Sequence, residues 1–394
     1  MKIGFDAKRT VRNNTGLGNH NRQVIEVLSE YYPDNEYLLF APRQKENSRL
    51  RRILEKANVT FFSPGGFFKL FPSVWRSWGI LRDIGRQGLA VFHGLSNELP
   101  VGIKKAGIKT VVTIHDLIFL RYPEYYRLVD RTVYRLKFHY ACKKADRIIA
   151  VSECTKRDII SFFHIPEDRI SVVYQGCHSG FRAKVSEEKK SEIADRYRLP
   201  RRFVLYVGSI EARKNLLLAV KALRQIPEEI HLVAVGKSTP YQSAVEKYAG
   251  TSGVKPRLHI LNQAQWDDLP AIYQSAALFV YPSFFEGFGI PIVEALNSGI
   301  PVIAATGSCL EEAGGPASVY VSPHDGNALA GEIMRILNNK GLAEKMIEAG
   351  KCHAERFSEK SIAENIMNVY ESCISRGGGR SGFPISDLSK RKIK

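Results

Sequence analysis

Residues 281–299 read YPSFFEGFGIPIVEALNSG, and the rest of the chain is organised around them. Tyr281 and Pro282 close a short apolar run from Leu278 that reads as a buried strand. Glu286 follows in a loop with Gly287 and Gly289. Pro291 suits the first turn of a helix, where its missing N–H costs no hydrogen bond. Glu294 lies eight residues after Glu286, inside that helix. One acid on a loop and one on a helix can grip different parts of an extended ligand. A carboxylate can accept both hydroxyls of a vicinal diol. The exposed amides of Phe288, Gly289 and Ile290 can bind anionic or hydroxyl oxygens. The plainer alternative is a capped helix with an ordinary first-turn acid, and the Gly-x-Gly flank with both acids weighs against it.

Working back, residues 206–215 read YVGSIEARKN. A strand over Phe203–Val207 ends beside Gly208, where the backbone can approach a ligand closely. Arg213 and Lys214 then open a helix from Asn215. Two cations beside a helix N-terminus suit a diphosphate. A turn with two solvated cations is the plainer reading of this stretch taken alone. Strands at His231–Val235, Arg257–Leu261 and Pro301–Ala304, with a helix near Asp267–Gln274, continue the alternation. Strands alternating with helices argue for a parallel sheet covered on both faces. Ligands of such sheets lie at the strand ends, where both motifs fall.

The first half repeats the pattern. Lys2–Asp6, Leu89–His93, Thr110–His115, Arg147–Val151 and Ile170–Val173 read as strands, with a short helix near Thr155–Phe162. Asn14–His20 reads NTGLGNH, a glycine loop between the first strand and helix. It is too short for the dinucleotide fingerprint, but it sits at the first strand–helix turn, where a phosphate could meet bare amides. Ile114–Leu117 reads IHDL at another strand end, and His115 can donate to a sugar hydroxyl or phosphate, or move a proton. A lone structural histidine is the alternative. His93 is a weaker candidate of the same kind. The charged stretch 180–200 reads as an interdomain link.

A length of 394 residues suggests two domains or three. The net charge of +17 is uneven: residues 1–180 hold 29 Lys and Arg against 17 Asp and Glu, the remainder 28 against 23. Such a field attracts nucleic acid, acidic lipid or a phosphorylated substrate. Phe61–Leu81 adds five Phe and two Trp among Lys69, Arg76 and Pro–Gly breaks. Those residues suit a membrane interface or an aromatic core loop. Arg127–Lys144 reads as a basic helix with Val129, Val133, Leu136 and Tyr140 on one stripe, which could lie on acidic lipid or simply be a solvated face. The six cysteines form no C-x-x-C pair, so a reducing compartment is expected and metal clusters are not. Neither a signal-peptide core nor an apolar run of spanning length is expected.

Together these residues resemble the retaining glycosyltransferases of family 4, which have the GT-B fold. EGFGIPIVEAL (Glu286–Leu296) resembles that family's E-x(7)-E signature, YVGSIEARKN its second-domain phosphate motif and TGLGNHNRQVI its first glycine loop. FHGLSNELP, VVTIHDLIFLRYPE and IAVSE are similar to its first-domain strand ends in the mannosyltransferase-like subgroup. The resemblance covers roughly residues 1–372. It departs at Ser209, where many relatives carry Arg directly after the strand-end glycine; here an adjacent Arg213–Lys214 pair supplies both charges.

The resemblance implies an α/β fold of two Rossmann-like domains facing across a cleft. An acceptor domain would span residues 1–182 and a nucleotide-sugar domain residues 183–357. Residues 358–375 would cross back to the first domain, and 376–394 would form a mobile basic tail. Arg213 and Lys214 would hold the donor diphosphate and Glu294 the ribose. Glu286 and the amides of Phe288, Gly289 and Ile290 would orient the sugar. Gly16 would serve the distal phosphate, and His115 would contact the sugar from the first domain. Expected, then, is a hexosyltransferase that moves a hexose, mannose favoured, from a nucleotide sugar (GDP-mannose favoured) to a glycan or lipid-linked acceptor. No cofactor or metal is expected, since no Asp-x-Asp motif occurs. Cytoplasmic location, with peripheral contact to an acidic membrane and no nucleic-acid partner, completes the expectation. An epimerase or phosphorylase on the same architecture, or a polyanion-binding protein, are the competing readings.

Overall fold

The computed structural model describes residues 1–13, 16–43 and 48–375. The expected tail, 376–394, lies outside the described residues, as do Asn14 and Thr15 at the start of the glycine stretch. Two parallel sheets are formed. The first holds β1 (Lys2–Asp6), β2 (Glu36–Phe40), β3 (Val59–Phe62), β4 (Val91–Gly94), β5 (Lys109–Ile114), β6 (Arg147–Ala150) and β7 (Ile170–Val172), in the order β3-β2-β1-β4-β5-β6-β7. The second holds β8 (Phe203–Val207), β9 (His231–Val235), β10 (Leu258–Leu261), β11 (Leu278–Tyr281), β12 (Val302–Ala305) and β13 (Val319–Val321), in the order β10-β9-β8-β11-β12-β13. Both orders reverse direction next to their first strand, the doubly wound Rossmann-like arrangement whose ligands sit at that reversal. β8 and β11, which carry the two second-half motifs, are direct neighbours there.

Strand interiors are apolar because both faces are covered. Phe203, Val204, Leu205 and Tyr206 of β8 are all buried, two facing one side core and two the other. The helix Glu359–Ser375 returns to the first domain, burying Ile362, Ile366, Met367 and Tyr370 with Ile3, Phe5 and Val91. The Tyr370 hydroxyl lies 2.7 Å from His93 Nδ1.

Three local expectations need correction. The glycine stretch is not a loop up to the helix: Lys8–Arg12 is a short helix, and the next helix already starts at Gly16. A Cβ on Gly18 would collide with the Asn13 carbonyl, so close backbone contact rather than a wide loop uses that glycine. Arg213 and Lys214 end a single 3-10 turn, and Asn215, at φ 56°, separates them from the helix Leu216–Ala222. The aromatic segment is divided. Trp75 is buried, while Leu70 and Trp78 are 75% and 60% exposed. Strands β2, β3 and β13 were not foreseen, because their short apolar runs carry no strong periodicity.

Candidate active site

The site is assembled at the ends of β8 and β11. Asn215 adopts a left-handed conformation, and its side-chain amide donates to the carbonyls of Pro282 (3.0 Å) and Pro323 (2.8 Å). That clip fixes the turn carrying Arg213 and Lys214 against the loop carrying Glu286. The Phe284 amide, donating to the Arg213 carbonyl at 2.9 Å, fastens it a second time. Gly289 sits at φ 143°, a region open to glycine, directly before the helix Ile290–Asn297. A helix start leaves its first amides without intrahelical acceptors, and Phe288, Gly289 and Ile290 at this start line the cleft.

Glu286 is the centre of a buried network. Its Oε2 is 2.9 Å from Arg213 Nη1, and its Oε1 is 3.3 Å from Lys214 Nζ. The hydroxyls of Tyr281 and Ser283 each donate to Oε1 at 3.0 Å. Lys214 Nζ also donates to the Tyr281 hydroxyl at 3.0 Å. Burial alone would raise the Glu286 pKa, but the charges of Arg213 and Lys214 outweigh it and hold the carboxyl down to about 2. Glu286 is therefore an anion throughout the neutral range. Glu294, one helix turn further in, accepts the Tyr273 hydroxyl at 2.8 Å.

A cleft of about 690 Å³ joins these groups to the first domain. Gly16, His115, Lys214, Glu286, Phe288, Gly289, Ile290 and Glu294 all line it. Arg213 does not line it: its guanidinium sits behind Glu286 and also donates to the Phe285 carbonyl. His115 enters from the end of β5. Its Nε2 lies 2.9 Å from the Leu95 carbonyl, which can only accept, so the proton sits on Nε2. Nδ1 then accepts from the Gln175 amide at 3.1 Å. Burial pushes the His115 pKa down to about 4, and the ring is neutral at pH 7.

The two domains touch at this site. A Cβ on Gly287 would collide with the His115 carbonyl, so glycine permits the contact. The Gly287 carbonyl accepts the hydroxyls of Ser152 (2.7 Å) and Thr155 (3.2 Å) from the first domain.

Sequence reasoning missed several contributors. Tyr281 and Ser283 stood inside the quoted strand–loop stretch, and a polar side chain at a strand end was the available signal. Tyr273 had none, since its partner lies 21 residues away. Asp116 lines the cleft one residue after His115. His20 does too, edge-on to His115 with ring centroids 5.1 Å apart. Lys237, at the end of β9, adds a cation to the cleft wall.

Comparison with known proteins identifies relatives of the whole chain. Residues 15–179 match the model of Glycosyltransferase Family 4, and residues 189–353 match that of Glycosyl transferases group 1. The chain is 29% identical over 387 residues to the O-antigen chain mannosyltransferase B of Escherichia coli, covering 94% of this chain and 100% of that one. It is 30% identical over 287 residues to the serotype-specific mannosyltransferase WbdA of Escherichia coli, of which it spans 34%. Among solved structures, Anabaena Alr3699/HepE in complex with UDP and glucose is similar at a TM-score of 0.74 and 19% identity, covering 94% of this chain and 100% of that one. A glycosyltransferase from Rickettsia africae is similar at a TM-score of 0.74 and 17% identity, with 95% and 98% covered. At these identities the structural likeness speaks for the fold.

Proposed function

This chain belongs to glycosyltransferase family 4 and is a GT-B hexosyltransferase, and on that premise we propose that it transfers mannose from GDP-mannose, with retention of configuration, to a growing surface polysaccharide on a lipid-linked acceptor. One observation carries the site assignment: Glu286, Lys214 and Glu294 share one cleft wall at the strand-order reversal, with His115 facing them from the other domain. The mannosyltransferase relatives support the sugar, and the similar structures solved with UDP support a nucleotide-sugar donor.

In this reading the donor diphosphate takes Lys214 from Glu286. Glu286 is then released toward the sugar, while Arg213 stays behind it as a fixed counter-charge. Phe288, Gly289 and Ile290 offer amides to the sugar, Gly16 offers its amide to the distal phosphate, and Glu294, oriented by Tyr273, takes the ribose diol. Negative charge grows on the diphosphate as the glycosidic bond breaks, and preorganised cations and amides stabilise that growth. In this reading Lys214 and the backbone amides carry the diphosphate charge without a metal. For retention, the acceptor oxygen attacks the anomeric carbon from the leaving-group face and passes its proton to the departing phosphate. His115, neutral and clamped by Leu95 and Gln175, positions the sugar from the first domain. The enzyme works where a lipid-linked acceptor is displayed, at an acidic membrane surface.

A calorimetric panel of GDP-, UDP-, dTDP- and ADP-sugars tests the donor. Tightest binding of GDP-mannose, followed by α-linked product from the α-configured donor by NMR, is expected. Preference for another base, or an inverted product, would overturn that part of the proposal.

A further inference from the structure

The helix Leu128–Lys144 is amphipathic the wrong way round for a part of the core. Its buried residues are Phe138, Ala141 and Cys142. Leu128, Val129 and Leu136 are instead 72%, 74% and 67% exposed, and Val133 is 40% exposed. Successive helix residues are rotated by about 100°, which gathers Leu128, Val129, Thr132, Val133 and Leu136 on one side, opposite the buried trio. Among the described residues, all but two of the large exposed apolar side chains lie between Leu70 and Leu136. The segment carrying Arg76 is linked to this helix through Glu98. Arg76 and Lys137 both reach Glu98, at 2.6 and 3.5 Å. The Tyr140 hydroxyl accepts the Gly102 amide at 2.6 Å, and Leu81 packs against the same glycine.

Charge says what covers this surface. From Arg127 to Lys144 the sequence holds Arg127, Arg131, Arg135, Lys137, Lys143 and Lys144 against Asp130 alone. Two copies pressed face to face would set like charges against one another across an apolar seam. Anionic headgroups would neutralise them while acyl chains took up the apolar side chains. None of these side chains lines the donor cleft.

We propose that the outward face of Leu128–Lys144 docks this protein onto an anionic lipid bilayer. The inference takes its partner from the lipid-linked acceptor of the proposed function, but its surface from exposure and charge alone. The helix lies flat in the interface, with Leu128, Val129, Val133 and Leu136 below the headgroups and the exposed Arg135, Lys143 and Lys144 level with them, while Arg131 is half-buried against the protein. The surface belongs to the acceptor side of the cleft, so docking presents the first domain to a substrate held in the same membrane.

Flotation of the full chain with vesicles tests this. Binding is expected to vesicles of phosphatidylcholine with one quarter phosphatidylglycerol, to be weaker on phosphatidylcholine alone, and to weaken between about 0.1 M and about 0.5 M salt. The triple variant Val129→Ser, Val133→Ser, Leu136→Ser should lose about tenfold or more of vesicle partition, while an unchanged melting temperature and GDP affinity show the fold and cleft intact. Failure of the wild type to bind anionic vesicles, or equal binding by the triple variant, overturns the proposal. So does a dimer in light scattering that the triple variant dissolves, which would make a second copy the occupant. Vesicle binding without any donor binding would sink the proposed function and leave this surface standing.

Discussion

The carboxylate of Glu312 in the second domain accepts the backbone amides of Glu153 (2.6 Å) and Cys154 (2.9 Å), capping a helix of the first. An acid at a helix N-terminus satisfies orphan donors and meets the positive end of the dipole. Next to it, Ser152 and Thr155 hold the Gly287 carbonyl, so the loop bearing Glu286 is tied to the opposite domain. Helix caps contribute about 0.5–2 kcal/mol. Glu312→Ala should therefore loosen the closed arrangement. We expect the free protein to expand in small-angle scattering and KM for the donor to rise several-fold with a smaller change in kcat. An unchanged scattering profile and KM would show that the cap does not govern closure.

Glu286 is predicted to act oppositely on binding and on turnover. In the free protein it pairs with Arg213 and Lys214, and Lys214 is the cation proposed to take the diphosphate. Glu286→Gln should cut kcat by about a hundredfold or more, as for loss of a transition-state contact. GDP affinity by calorimetry should hold or improve, because Lys214 no longer has a competing partner. A parallel fall in GDP affinity would place Glu286 on the diphosphate instead.

The two adjacent cations should separate in mutagenesis. Lys214 reaches the cleft, so Lys214→Ala should weaken GDP by about tenfold or more, given about 1.5–3 kcal/mol for a charged hydrogen bond. Arg213 lies behind Glu286 and is paired with it. Arg213→Ala removes one partner of a buried pair, so thermal stability should fall by several kcal/mol. Equal effects of both variants on GDP affinity would argue that Arg213 turns into the cleft on binding.

Acid should weaken the fold before it touches Glu286. Burial lowers the pKa of His115 to about 4 and of His93 to about 3, from an ordinary 6.5. His20 is lowered for the same reason, with His115 and His93 adding to it. A histidine depressed by folding contributes stability that is complete above pH 6.5 and is lost as pH falls toward the folded value. For His115 this is on the order of 3 kcal/mol. Glu286 has the carboxylate form of the effect: its stabilisation is present above pH 4.5 and fades toward about 2. The melting temperature should therefore decline from pH 7 to pH 4.5, and His93→Gln, which can still meet Tyr370 and Thr113, should flatten that decline. A flat wild-type profile would contradict the buried neutral imidazoles.

The sequence by itself determined the two-sheet architecture and brought Glu286 and Glu294 into one strand–loop–helix unit. Residues 203–206 and 232–235 are apolar runs whose side chains are buried on both faces, so local composition marks them as interior strands. Glu286, Gly289, Pro291 and Glu294 lie within one strand–loop–helix unit, and local backbone rules place both acids near one strand end. Tertiary structure decided what those groups touch. The Tyr273–Glu294 bond, the retreat of Arg213 behind Glu286 and the Glu312 cap all join residues brought together only by packing. The same holds for Leu128–Lys144: periodicity shows a stripe, but which stripe faces water depends on where the neighbouring sheet supplies a surface to cover the other one.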